Sequence, residues 1–98
     1  MAKFVLLYLG GTQPQSQEEG EKLAARWMTW FGAAGGAITD PGNAFGSSDA
    51  VGIDRAPSGV NGYTVIDVVD AAAAKKLVAD HPHLADGGRI EIHETLEM

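Results

Sequence analysis

Six consecutive apolar residues, Phe4 to Leu9, stand between Lys3 and the Gly10-Gly11 dipeptide. A run of that length and makeup reads as a short strand buried on both faces. This constrains the whole fold. A chain of 98 residues with two helix-like segments has enough material to cover one face of a sheet. Something else must cover the other face, and the most economical candidate is a second copy of the same chain.

One domain spanning residues 1–98 is expected, since a chain of this size buries roughly 60–65% of the surface its unfolded form exposes and gains from association. The apolar fraction of 45% and the charged fraction of 20% are those of an ordinary globular protein. There are no cysteines, so disulfide and thiolate chemistry are excluded, in keeping with a cytoplasmic location. The N-terminal apolar run is too short for a signal peptide or a membrane span. The net charge is −6 and the seven cationic side chains form no stripe. Nucleic acid and membranes are therefore not expected partners.

Ser16 and Glu19 have the spacing of a capping box, with Ser16 accepting from a free backbone N–H and Glu19 reaching back to the cap. The helix that follows carries Leu23, Trp27, Trp30, Phe31 and Ala34 on one face and ends at Gly35-Gly36. Asp40-Pro41-Gly42-Asn43 reads as a turn, with Asp40 bonding its backbone. A weak strand is predicted over Asp49 to Ile53, then a loop over Pro57 to Gly62 with an Asn61-Gly62 turn signal. Tyr63 to Val69 is rich in β-branched residues and reads as a second two-sided strand. Asp70 caps a helix starting at Ala71, which Pro82 prevents from running on. Arg89 to Leu96 alternates, with Ile90, Ile92 and Leu96 on one face.

The order is β-α-β-β-α-β, which predicts an α+β fold of the ferredoxin-like type with an antiparallel sheet. In that arrangement the first and third strands are central, and both helices lie on one face. The other face then carries exposed apolar side chains, and such a patch marks an interface. A homodimer closing into an α+β barrel-like assembly follows as the expected state.

Few side chains are candidates for chemistry. Gly10-Gly11 follows a strand, but the next residues lack the G-x-G-x-x-G spacing, so it reads as a turn. His81-Pro82-His83 is the sharpest local feature. Its imidazoles have three readings: dipole capping at a helix C-terminus, a place in a pocket, or a metal site. A metal would need further ligands, for which only Asp40 or His93 can be nominated; no metal and no cofactor are expected. Asp40 either serves its turn alone or also faces a cavity. Trp27 and Trp30 belong first to the core, yet one indole can line a cavity. Asp67, a charge within an apolar strand, needs a partner such as Arg89 or a place in the dimer interface.

Several segments taken together resemble the YCII-related domain family, including its DGPF-type relatives. They are the opening KFVLLYLGG, the W-x-x-W-F helix followed by G-x-x-x-D-P-G-N, the strand GYTVIDV and the ending HPHLADGGRIEIHE. The resemblance implies a ferredoxin-like domain that dimerises through its sheet. It also implies a small-molecule cleft between helices and sheet. A few members act on small ring compounds, as in dechlorination of a hydroxyquinol, with a histidine–aspartate pair as the acid–base unit. This chain departs from that pair: Trp27 stands near the family's histidine, and His81 at its aspartate.

Two functional expectations result. In the first, the chain is a small-molecule-binding homodimer whose ligand meets Tyr63, His83, Trp27 and Asn43. In the second, it is a cofactor-free lyase or isomerase, or a dehydrochlorinase-like enzyme, on a small ring compound. His81 would then be the acid–base group, with Asp40 orienting it.

Overall fold

The computed structural model describes residues 1–52 and 58–96. The elements are β1 (Ala2–Gly10), α1 (Gln17–Ala34), a 3-10 turn (Gly35–Ala37), β2 (Ile38–Asp40), β3 (Val60–Val68), α2 (Ala71–Val78), α3 (Pro82–Ala85) and β4 (Gly88–Glu94). The protein is α+β: the described residues form three helices and one antiparallel sheet in the order β2-β3-β1-β4. β1 and β3 are central and β2 and β4 are the edges, as the distribution of apolar residues predicts. Among the described residues no helix is long and apolar enough to cross a membrane.

The caps follow from local chemistry. The Ser16 hydroxyl accepts from the Glu19 N–H at 3.1 Å. The Glu19 carboxylate reaches past the predicted cap and accepts from the Gln15 N–H. Gly35, at φ +54°, ends α1 and donates to the Phe31 carbonyl. Asp70 caps α2 by accepting from the Ala73 N–H at 2.9 Å.

Phe4, Leu6 and Ile66 are fully buried beneath Trp30, Ala74 and Val78. The Trp30 indole N–H donates to the Leu77 carbonyl at 3.2 Å, fixing α1 to α2. The central strands alternate more than their sequence suggests. Phe4, Leu6 and Tyr8 are buried, whereas Val5, Leu7 and Val65 are half-buried on the face away from the helices. The molecule is only 19 Å through its shortest axis, the depth of a sheet and one helical layer.

Two expectations require correction. The second strand is Ile38–Asp40; Asp49 to Gly52 form no strand, and Ile53 lies outside the described residues. Ile38 pairs with Ile66 and brings an apolar side chain to the sheet edge, which the polar Asp49 region cannot do. Asn61-Gly62 is no turn, because both residues lie inside β3. The pairing shifts there, with Tyr8 opposite Gly62 and Leu9 opposite Val60, and the Asn61 amide donates to the Gly10 carbonyl at 3.0 Å. Of the two readings of Asp67, the Arg89 partner is not found; the Thr39 hydroxyl donates to it instead.

Candidate functional site

α1 has 18 residues and α2 only eight, so the single helical layer covers the sheet unequally. Near Trp30 the sheet is sealed. Near Trp27 a cavity of about 450 Å³ opens between α1, the end of β1, the Pro41–Phe45 segment and the start of β3. Tyr8 and Gly62 contribute from the sheet, Trp27 and Phe31 from α1, and Phe45 from the loop. The Tyr8 and Trp27 rings meet edge to face at 4.9 Å, and Phe45 stacks on Tyr63 at 5.9 Å.

Glycine shapes this space at two points where nothing else fits. A Cβ on Gly42, at φ +74°, would collide with the Tyr63 carbonyl. A Cβ on Gly88 would lie 2.2 Å from Nε2 of His83. The first lets the Asp40–Asn43 segment lie on β3. The second makes a slot for an imidazole.

His83 occupies that slot and is 8% exposed. Its Nε2–H donates to the Leu9 carbonyl at 2.8 Å, since a carbonyl only accepts. In the neutral ring the lone pair is therefore on Nδ1. That nitrogen lies beside Gly11, whose notional Cβ would be 3.2 Å away, and both residues line the cavity. No protein group among the described residues bonds to Nδ1.

His81 is 1% exposed and does not line the cavity. It lies beneath it, with ring centroids 4.3 Å from Trp30, 4.5 Å from Trp27 and 5.2 Å from Tyr8. Its Nδ1 accepts from the His83 N–H at 3.0 Å and caps α3, which Pro82 opens at its first position. The proton of the neutral ring then sits on Nε2, which is buried without a hydrogen-bond partner. Burial, and secondarily the charge of a protonated His83, push its pKa down to about 4; Asp80 opposes this weakly. Capping at the end of α2 is thus replaced by capping at the start of α3.

Tyr8 closes the cavity floor without offering a base. The Thr64 hydroxyl donates to the Pro41 carbonyl at 2.9 Å, so the Tyr8 hydroxyl donates to Thr64 at 2.7 Å. Burial raises the Tyr8 pKa to about 12, against a smaller opposite effect of the Thr64 bond.

Of the predicted site, His83, Trp27, Tyr63 and Asn43 come together on the cavity wall. His81 and Asp40 do not line it, and no bond joins them. Asp40 is exposed: one carboxylate oxygen accepts from the Gly42 N–H at 2.9 Å, and the other lies 3.5 Å from the Tyr63 hydroxyl. His93 is exposed and paired with Glu91. The features missed in sequence are Tyr8, Gly11 and Gly88; the paired glycines at 10–11 and 87–88 were the available signal. No family model matches the chain, and no curated protein matches it.

Proposed function

We propose that this chain is a small-molecule-binding domain whose cavity takes a planar, largely apolar molecule. The observation that carries the reading is the combination of aromatic walls from Tyr8, Trp27, Phe31 and Phe45 with the His83 imidazole, whose Nδ1 is left open beside Gly11 on the cavity wall. Concave apolar sites with few fixed polar groups are where small ligands bind. The volume suits a ring system of one to three fused rings. The strand order is that of a ferredoxin-like domain, and the segments that resemble the YCII-related domain include both the Asp40–Asn43 turn and the histidines around α3.

Assembly belongs to the same proposal. Val5, Leu7 and Val65 make an apolar stripe on the helix-free face, and a second copy laid sheet to sheet would cover it as a homodimer of barrel-like form. An acid–base role for His81 is not favoured, because its accepting nitrogen is already engaged and its ring is sealed.

β-Naphthol titrated into the protein in a calorimeter tests the binding reading. Saturable binding at one site per chain is expected. Ala24→Phe, which fills the cavity from an exposed helix position, should abolish it. Absence of binding to the native chain, or binding unaffected by Ala24→Phe, overturns the reading.

A further inference from the structure

We infer that the ligand of this cavity presents a hydrogen-bond donor, an O–H or N–H on its ring, to Nδ1 of His83. The inference rests on the small-molecule reading above and specifies the chemical class that the site selects.

An imidazole free to choose its tautomer would accept ligands of either polarity. His83 has no such freedom. Its Nε2 points at the Leu9 carbonyl, 2.8 Å away, and that oxygen demands a proton from it. The alternative tautomer would set a lone pair against a lone pair. Gly88 holds the ring in place, because its hydrogen is all that fits beside Nε2 and Cδ2. The neutral side chain therefore meets the cavity as an acceptor. The residue is more than nine-tenths buried and Gly11, which lines the cavity, lies beside Nδ1, so an apolar ligand that covers the atom displaces its water and leaves it unpaired at a cost.

Gly11 keeps that atom open. At φ +92° it adopts a backbone that side chains rarely take, and a Cβ there would sit 2.9 Å from Cε1 and 3.2 Å from Nδ1. The Tyr8 hydroxyl on the floor already gives its proton to Thr64. The net charge of −6 works against an anionic ligand. A neutral planar ring with an acidic hydroxyl or a ring N–H meets these conditions together.

The test compares β-naphthol with its methyl ether by calorimetry at neutral pH, where a phenolic hydroxyl, ionising near pH 10, is protonated. The two share the ring and differ in the donor. The native chain should bind the naphthol roughly tenfold more tightly than the ether. His83→Leu removes both ring nitrogens and brings no acceptor, and should bind the two equally. Equal affinities in the native chain overturn the donor inference and leave the cavity reading standing. No binding of either compound removes both. The comparison within the native chain decides even if His83→Leu does not fold. Where that variant folds but still prefers the naphthol, the acceptor is not His83 and the assignment fails.

Discussion

The helix-covered face of the sheet has two halves built on different plans. In one, Phe4, Leu6 and Ile66 lie fully buried under Trp30, Ala74 and Val78, with two helices above them. In the other, α2 is absent, Trp27 and Phe31 overhang from α1 alone, and the sheet offers Gly62 where the closed half offers Ile66. The same helix roofs both, and its two tryptophans, three residues apart, divide the roles: Trp30 is core and Trp27 is wall. A cavity forms here because helical cover stops before the sheet does and small residues stand where cover is missing. His81 marks the boundary, touching both indoles.

The largest expected effect breaks the comparison outright if it fails. Trp30→Ala should destabilise the protein by about 3–5 kcal/mol in urea unfolding, since it removes a buried indole and its bond to Leu77. Trp27→Ala should cost less than half as much, because that ring is half-buried against open space. Equal losses would mean the halves are packed alike.

The second prediction concerns pH. The folded-state pKa of His81 is lowered to about 4 from 6.5, so the unfolded chain binds more protons between those values. Its contribution is fully present above about pH 6.5 and is lost as pH falls toward about 4, amounting to about 3 kcal/mol over the window. His81→Asn keeps an acceptor for the His83 N–H and does not titrate. Its stability should fall less steeply with acid than that of the native chain. Parallel profiles would show that the boundary histidine is not held neutral by burial.

Gly88→Ala should cost about 2 kcal/mol, because the new methyl displaces His83 and breaks its bond to Leu9. Its backbone has no positive φ, so the loss acts through the imidazole. A nitrogen-15 spectrum should show the His83 ring losing its fixed tautomer. An unchanged ring signal would mean that the slot yields instead.

Most of the closed half was legible in the sequence. The spacing of Leu23, Trp27, Trp30, Phe31 and Ala34 defined one helix face, and Ser16 and Asp70 marked the helix starts through cap chemistry that depends on a few neighbouring residues. The open half was harder to read because its signals were ambiguous at short range. Ile38–Asp40 is too short to show a period. Asn61-Gly62 has turn chemistry but sits at a register shift, where the glycine serves close approach to Asn43 and Ala44. Pro82 stops one helix and also opens the next, so His81 became an N-cap. Nothing in the spacing of His81 and His83 says which keeps a free acceptor. That depends on the Leu9 carbonyl, 74 residues away from His83 in the chain.

The smallest expected effect lies at the rim of the open half. Arg26, on the face of α1 beside Trp27, makes two bonds of 2.9 and 3.0 Å to the Asp86 carboxylate. The Asp86 carbonyl in turn accepts from the backbone N–H and hydroxyl of Thr12, holding the loop after β1 against α3. The pair is partly exposed, so water and salt screen it, and Arg26→Ala should lower stability by less than about 1 kcal/mol. The backbone bond from Thr12 remains, and Gly11 with it. If the rim is only a tie across an already formed cavity, β-naphthol affinity should change no more than about twofold in this variant, a loss well under 1 kcal/mol. A loss of affinity much larger than the loss of stability would make Arg26 a positioning group for Asp86, which lines the cavity, and the open half would then be shaped by charge at its edge as well as by glycine at its floor.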